Sequence, residues 1–429
     1  MSPPLPPVPR LGWKAALVLA LASLAIRAAV VVATGPSLSR FADAPAYLLG
    51  ARALAETGSY PLRTDPFLFR PPGYPLFLAV ATLGHPGSIA ACRLATAAAG
   101  ALVPVLLAAL SARLFRRRDL ALMTGALAAV HPTFLLVASE IQTESLFLVF
   151  LLSAGYLLLA AADRPSSNLA VLAGAALALA ALTRSSALVL LPFLAAPLLD
   201  TRHPRRADAH IALSALLGFA LVLGPWTARN ALMFHELVVV NDGAGYVFYG
   251  RNSDAALALA GARDRAELGR AVASLERDRR ELIQALPEEV RASPGRLSRA
   301  LAAAALADRR ADPAGTLRLI VWKAGDWLRP WADPRFWPVS VVAATGAVFL
   351  LLDVLAVIGL ARAERTGARA FCLAFLAVTM LVHVILEVNW RYRTAYWDPV
   401  LLLYAVRGAA ALVPISSAPV AAAPGPAPA

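Results

Sequence analysis

The chain has 429 residues, of which 59% are hydrophobic and only 16% are charged. A soluble protein carries about 25% charged residues, so this composition excludes a soluble globular fold and leaves apolar surface that must face lipid. The net charge of +13 falls largely in short links between apolar runs. No nucleic-acid-binding motif accompanies it, which argues against a nucleic-acid partner.

Apolar runs of about 20 residues, long enough to cross a membrane, recur along the whole chain. They predict an all-α polytopic membrane protein with a bundle of about ten transmembrane helices. The fifth and sixth runs are short and separated only by "TRSSA", so they fit a single broken hairpin equally well. The predicted segments are 13–34, 88–112, 119–137, 143–162, 168–183, 186–200, 209–228, 339–361, 370–388 and 396–414.

The links between these segments alternate in charge. Links rich in arginine, such as "RLFRRR", "TRHPRRAD" and "ARAERTGAR", fall on one side, which the positive-inside rule assigns to the cytoplasm together with both termini. The external side receives the loop 35–86 and the long segment 229–338. The predicted parts are an N-terminal bundle, 13–228, the external segment, C-terminal membrane helices, 339–414, and a disordered cytoplasmic tail rich in proline and alanine, 415–429.

The first external loop contains two predicted helices. Apolar residues follow Asp43 at helical spacing, and Gly58 is suited to end that helix. The stretch "FRPPGYP" then predicts a rigid elbow, because a residue that precedes proline is held out of the helical region. The apolar run from Leu76 to Leu83 is too short to span a membrane, so it predicts a juxtamembrane helix that lies in the interface.

Asp43, in "FADAPAY", lies at the external end of the first membrane helix and has two interpretations. An aspartate before a helix that carries proline in its first turn is a good N-cap. A carboxylate held at the membrane surface is also suited to accept a proton from a hydroxyl group. The two roles are compatible, since capping would fix the carboxylate, and the residue alone does not decide between them.

Four arginines lie in or beside the external loops. Arg70 belongs to the proline elbow, Arg184 to a tight turn, and Arg391 and Arg393 to "EVNWRYRTAY". Each alone is typical of an interfacial anchor. Together they predict a site for an anion such as a lipid phosphate, which the planar guanidinium group holds well.

Acidic and aromatic residues extend this candidate site. Glu140 and Glu144, four apart in "SEIQTES", are expected on one face at the start of a membrane helix, where ionisable residues are often functional. They would position an acceptor, bind a cation or pair with an arginine. Tyr74 and Tyr392 are further candidates for acceptor binding. The sequence has no HExxH, Walker or GxSxG motif, which argues against a metal site, a nucleotide-driven pump and a serine hydrolase.

In their order along residues 13–407, these motifs resemble those of bacterial GT-C membrane glycosyltransferases. That group includes protein O-mannosyltransferases and the aminoarabinose transferase of lipid A. Each motif is degenerate alone, and their order and topology indicate the superfamily but not the substrate. The motifs are "DAPAYLLGARALAETGSYP", "FRPPGYPLFLA", "CRLATAAAGALVPVLLAALSARLF", "HPTFLLVASEIQTESLFLVFLL", "GAALALAALTRSSALVLLP", "GPWTARNALMFHELVVVNDGAGYVFYGRN" and "EVNWRYRTAYWDPVLLLYA".

The resemblance implies transfer of a sugar, with inversion, from a polyprenyl-phosphate donor to a glycan, lipid or protein acceptor on the external face of the bacterial inner membrane. It implies that Asp43 is the catalytic base and that the arginines hold the departing phosphate. Many relatives carry an Asp-Glu pair where this chain has Asp43 and Ala44. The second acidic role therefore falls to Asp65, Glu140 or Glu144. No cofactor is expected, and a divalent metal is left open but not favoured.

Two other functions are compatible with the sequence. One is a transporter or flippase of a lipid-linked glycan, and the other is a scaffold or glycan ligase built on the long external segment. A flippase does not require polar residues concentrated on one side, whereas here the arginines and acids lie in the external loops. The sequence therefore favours the glycosyltransferase.

Overall fold

The computed structural model describes residues 7–35, 43–61, 70–199, 205–364 and 367–412. These residues form nineteen α-helices and one long 3-10 helix, with no β-strand among them. The predicted all-α class is confirmed.

The first ten α-helices and the 3-10 helix lie in the N-terminal part of the described chain. They are α1 (Trp13–Ala33), α2 (Ala44–Thr57), α3 (Gly73–Ala81), α4 (Ile89–Gly100), α5 (Val103–Phe115), α6 (Arg118–Val130), α7 (Pro132–Ala138), α8 (Glu144–Asp163), α9 (Ser167–Thr183), the 3-10 helix (Ser185–Leu199) and α10 (Arg205–Phe234). Proline explains the break between α6 and α7. His131 precedes Pro132 and has an extended ψ of 124°, because the proline ring disfavours a helical conformation there.

Six further helices form a segment with its own apolar core, in which Leu275 and Leu301 are buried. These are α11 (Gly243–Asn252), α12 (Asp254–Gly261), α13 (Arg265–Ala285), α14 (Glu288–Ala292), α15 (Pro294–Ala311) and α16 (Pro313–Leu328). Lys323 of α16 joins this segment to the bundle. Its buried Nζ donates hydrogen bonds to Oδ1 of Asn252 at 2.8 Å and to the carbonyl oxygen of Ile385 at 3.3 Å.

Three helices complete the bundle: α17 (Val339–Arg362), α18 (Gly367–Ile385) and α19 (Trp390–Leu412). The main apolar core lies where α8, α9, α10 and α19 meet, and it buries Phe147, Leu177 and Tyr396. On the outer surface, Leu350 and Val357 of α17 are exposed, as residues that face lipid would be.

Among the described residues, six helical stretches are long and apolar enough to cross a membrane. They are α1, α4 with α5 as one stretch, α8, α10, α17 and α18. The pair α6 and α7, bent by 54°, adds a seventh if it is one broken span. Each of the ten predicted segments overlaps a helix, but the count of about ten spans stays unconfirmed.

The two helices predicted in the first external loop are present as α2 and α3. α2 ends as predicted at Gly58, whose φ of 68° is the left-handed conformation that favours glycine. α3 begins at Gly73, three residues before the predicted Leu76. Tyr74 is therefore helical although it precedes Pro75, since the first turn of a helix requires no N–H group from the proline.

Candidate functional site

Asp43 lies just before α2, but its side chain does not cap that helix. Its carboxylate binds two arginines from distant parts of the chain instead. Oδ1 lies 2.9 Å from Nη2 of Arg70, and Oδ2 lies 2.7 Å from Nη2 of Arg391. The prediction of a capping side chain is therefore wrong. Two guanidinium groups offer the carboxylate two full positive charges, whereas a helix N-terminus offers about half of one.

The proline elbow sets the position of Arg70. The hydroxyl of Tyr60 donates a 2.9 Å hydrogen bond to the carbonyl oxygen of Arg70. Three residues further on, Gly73 lies against the end of α9, where a Cβ atom on it would be 2.8 Å from the carbonyl oxygen of Leu182. Glycine permits this approach, which brings the elbow beside the turn that carries Arg184.

Arg391, in the first turn of α19, also binds the turn between α7 and α8. Its Nη1 donates to Oε1 of Gln142 at 2.7 Å, and its Nε lies 3.9 Å from Oε1 of Glu144. Glu144 is fully buried and forms a closer ion pair, of 2.9 Å, with Nη1 of Arg184. The same nitrogen donates to Oγ1 of Thr143 at 2.8 Å. These contacts join three arginines and two acids into one network.

We call this network the Asp43 cluster; its members are Asp43, Arg70, Glu144, Arg184 and Arg391. Counted over these five members, it carries one net positive charge, and it is partly exposed: 21% of the Asp43 side chain and 26% of the Arg70 side chain are exposed. Burial acts to raise the pKa of the Asp43 carboxyl, but Arg70 and Arg391 outweigh it and hold that pKa below its usual value. Asp43 is therefore ionised at neutral pH and partly exposed.

A second row of side chains connects the cluster to α11. The guanidinium carbon of Arg184 lies 4.7 Å from the centre of the Tyr392 ring, which is a cation–π geometry. The Tyr392 hydroxyl donates to Oε2 of Glu387 at 2.7 Å, and Glu387 pairs with Arg251 of α11 at 3.4 Å. The hydroxyl of Tyr392, a predicted acceptor-binding group, is thus engaged by Glu387.

Arg393 does not join the Asp43 cluster. α19 begins six residues before the predicted segment 396–414, so Arg391 and Arg393 lie on one helix, where positions two apart differ in direction by about 200°. Arg393 pairs with Asp353 of α17 and with Asp398, whose Oδ1 is 2.9 Å from its Nε. Arg393 therefore lies outside the described contacts of the Asp43 cluster, and its predicted role in phosphate binding stays a prediction.

Two other candidates, Tyr74 and Glu140, are not among the described contacts of the Asp43 cluster. Tyr74 is fully buried, and its hydroxyl is 2.7 Å from Oγ1 of Thr96. Glu140 is buried in the turn before α8; because that helix begins at Glu144, the predicted shared helical face does not exist. Asp65 lies outside the described residues.

Gln142 and Thr143 bind two of the cluster's arginines, and sequence reasoning did not select them. The turn that carries them is fixed by Arg93, whose Nε donates to the carbonyl oxygen of Ser139 at 2.7 Å. Their only sequence signal is their place in the polar stretch "SEIQTES" before an apolar run. That signal predicted a role for the two glutamates but not for Gln142 or Thr143.

Among the residues that the structure describes, no three His, Cys, Asp or Glu side chains are close enough to hold a metal ion. The two acids of the Asp43 cluster are each paired with arginines. The expectation that no metal is required stays a prediction.

The fold and the cluster define a multi-pass membrane protein that carries a partly exposed carboxylate between arginines. Sequence comparison matches part of the chain to a glycosyltransferase family, the class of enzyme that the motifs predicted. The family whose model matches, over residues 69–227, is described as dolichyl-phosphate-mannose-protein mannosyltransferase. The matched range contains Arg70, Glu144 and Arg184, and the structure adds Asp43 and Arg391 from outside it.

No curated protein matches the chain in sequence. Among solved structures, the chain is similar to the crystal structure of ArnT from Cupriavidus metallidurans in the apo state, with 18% identity and a TM-score of 0.39. The crystal structure of ArnT from the same organism bound to undecaprenyl phosphate gives 16% identity and a TM-score of 0.35. Both alignments cover 92% of this chain and 76% of the ArnT chain. Similarity at this level says nothing about the substrate of this chain.

Proposed function

We propose that this protein transfers a sugar from a polyprenyl-phosphate donor to an acceptor hydroxyl at the Asp43 cluster. The observation that carries the proposal is the Asp43 carboxylate, partly exposed and held between Arg70 and Arg391. The matching family's description names dolichyl-phosphate mannose, which is a sugar on a polyprenyl phosphate. The donor class is proposed from that description, and the chemistry is proposed from the cluster.

The three arginines would hold the donor's phosphate. The phosphodiester of such a donor carries one negative charge, and the cluster carries one net positive charge. Arginine binds phosphate oxygens in pairs through its planar fork, and it stays charged at every relevant pH. Positive groups fixed in a partly dry site stabilise the charge that develops on a departing phosphate, typically by several kcal/mol.

Asp43 would act as the general base. It accepts the proton of the acceptor hydroxyl while that oxygen attacks the anomeric carbon of the sugar, and the bond from that carbon to the phosphate oxygen breaks. A single displacement of this kind inverts the anomeric centre. Glu144 is fully buried between Arg184 and Arg391, so it positions the arginines and does not reach an acceptor.

The orientation and the acceptor belong to the proposal as well. The arginine-rich links support a topology with both termini in the cytoplasm, in which the Asp43 cluster would lie on the external face of a bacterial inner membrane. The acceptor would be a protein, a lipid or an envelope glycan presented on that face. Neither a nucleotide sugar nor a divalent metal is needed for the displacement described.

The experiment is reconstitution of the purified protein in vesicles that contain radiolabelled polyprenyl-phosphate sugars, with a bacterial envelope fraction as the source of acceptor. The proposal expects the donor to be consumed and the label to appear on the acceptor, with or without EDTA. Movement of intact donor across the vesicle membrane without consumption would instead identify a flippase. Loss of transfer in EDTA would overturn the metal-free displacement.

A further inference from the structure

The arginines proposed to hold the donor phosphate are already engaged. Nη2 of Arg70 and Nη2 of Arg391 each bind a different oxygen of the Asp43 carboxylate, at 2.9 and 2.7 Å. Nη1 of Arg391 is engaged by Gln142 at 2.7 Å. A phosphate oxygen that binds these same N–H groups competes with the base for them.

We infer that the donor phosphate displaces the Asp43 carboxylate from Arg70 and Arg391, so that the base is released only when the donor is bound. This rests on the proposed function, and it adds an order of events that the proposed function does not require. Asp43 would be a competitor of the donor in the free enzyme and a catalyst in the complex.

The charges of the cluster fit such an exchange. Its net charge is one positive unit in the free enzyme, which matches the phosphodiester of the donor. The reaction joins the sugar carbon to the acceptor oxygen, breaks its bond to the phosphate oxygen, and moves the acceptor proton to Asp43. The phosphate monoester that leaves carries nearly two negative charges, as phosphate monoesters do near neutral pH. Protonation of Asp43 raises the net charge of the cluster to two positive units. The positive charge of the site therefore increases together with the negative charge of the phosphate.

The exchange also changes the strength of the base. Burial raises the pKa of the Asp43 carboxyl, while Arg70, Arg391 and, more distantly, Arg184 lower it. A phosphate that takes over the arginines offsets their attraction for Asp43 and leaves the effect of burial. The neighbouring Tyr47 does not compensate, because burial raises its pKa to about 12 and keeps it neutral. Asp43 thus becomes a stronger base when the donor arrives, and it stays a weak base toward water when the site is empty.

The test is the affinity of the purified full-length protein for undecaprenyl phosphate, used as the probe, measured for the wild type and for Asp43→Asn. Asparagine has nearly the same size but no charge with which to compete for the arginines. The exchange predicts that Asp43→Asn binds the probe about tenfold more tightly than the wild type. Asp398→Asn is the matched control: it removes a carboxylate paired with an arginine of the same helix, but in the other cluster, and it should leave the affinity unchanged.

A second measurement follows the carboxyl group itself. Dicyclohexylcarbodiimide modifies protonated carboxyl groups, and mass spectrometry of the peptide that contains Asp43 reports the extent. At neutral pH the wild type should be modified several-fold more with undecaprenyl phosphate than without it.

Equal or weaker binding by Asp43→Asn, or modification that undecaprenyl phosphate leaves unchanged, overturns the exchange, since Asp43 would then only orient the arginines. No saturable binding by either protein overturns the exchange together with the proposed donor. Transfer by Asp43→Asn at the wild-type rate overturns the proposed base, whereas tighter binding in the same variant would still support the exchange.

Discussion

Two charged clusters lie at the beginning of α19, and each is built around one of two arginines two residues apart. In the Asp43 cluster, the described contacts join three arginines to two acids, and Asp43 and Arg70 are partly exposed. In the other, Arg393 is shared by Asp353 and Asp398, and only 7% of the Arg393 side chain and 3% of the Asp398 side chain are exposed. The described members of the first cluster sum to one positive charge, whereas the two aspartates outweigh the single charge of Arg393.

This difference supports the proposal that an anion binds at the Asp43 cluster, whose described members carry more positive than negative charge. Arg391 and Arg393 have nearly the same sequence neighbours. Their roles diverge because a helix turns them toward different partners.

Arg393→Met should have the largest effect on stability. It leaves the buried Asp398 without its cation, and breaking a buried ion pair on one side costs about 3–5 kcal/mol. Thermal unfolding of the purified protein in detergent measures the loss. If Arg393→Met is as stable as the wild type but no longer transfers sugar, the anion site lies at Arg393 and not at the Asp43 cluster.

Arg391→Met should instead lower kcat/KM for sugar transfer about a hundredfold, because it removes one of the groups that hold the phosphate. Asp43 keeps Arg70 and Glu144 keeps Arg184, so neither acid loses its last described cation, and the loss of stability should be smaller than in Arg393→Met, about 1–3 kcal/mol for the hydrogen bond that Gln142 loses. Arg391→Lys is the matched control, since it restores the charge but not the planar fork, and it should recover part of the rate. Wild-type kcat/KM in Arg391→Met would remove this arginine from the site.

Lys323 differs from the arginines of both clusters, because it is a buried cation whose direct hydrogen bonds go to neutral groups. Burial is the main cause that lowers its pKa, to about 8 from 10.5. The unfolded chain then binds more protons than the folded chain between those values, so the free energy of unfolding should rise with pH over that window, by up to about 3 kcal/mol. Tyrosines and cysteines also titrate in this window, so the measurement is the difference in thermal stability between the wild type and Lys323→Met, which should grow in favour of the wild type as pH rises. A difference that does not change with pH would contradict the prediction.

Gly73→Ala should have the smallest of these effects. A Cβ atom there would lie 2.8 Å from the carbonyl oxygen of Leu182, so the elbow must shift and Arg70 with it. We expect a loss of about 1–2 kcal/mol in stability and about tenfold in transfer rate. Gly155→Ala, in the middle of α8 with open space around it, should be neutral or slightly stabilising. If both variants behave alike, the elbow does not position Arg70.

The sequence predicted the helices well because apolar runs and capping residues act locally. Gly58 ends α2 as predicted, and each predicted segment overlaps a helix. It predicted Asp43, Arg70, Arg184 and Arg391 as parts of one site, and the structure brings them together with Glu144. Their chemical roles stay predictions.

The errors concern partners, which local patterns do not contain. The cap interpretation of Asp43 considered only the helix beside it, and the partners that hold it are 27 and 348 residues away. Arg393 was grouped with Arg391 because α19 was expected to begin after both of them. Gln142 carries no charge and follows no motif, so only the fold shows that it binds Arg391.

The central claim is that Asp43 is the base of a sugar transfer at an arginine-lined site. Its most direct test is the single-turnover rate of transfer from a polyprenyl-phosphate sugar by Asp43→Asn, compared with Asp398→Asn and the wild type under saturating donor. The claim predicts that Asp43→Asn remains folded and loses about 10²–10⁴-fold in rate, while Asp398→Asn stays within about tenfold of the wild type. Transfer by Asp43→Asn at the wild-type rate would contradict it.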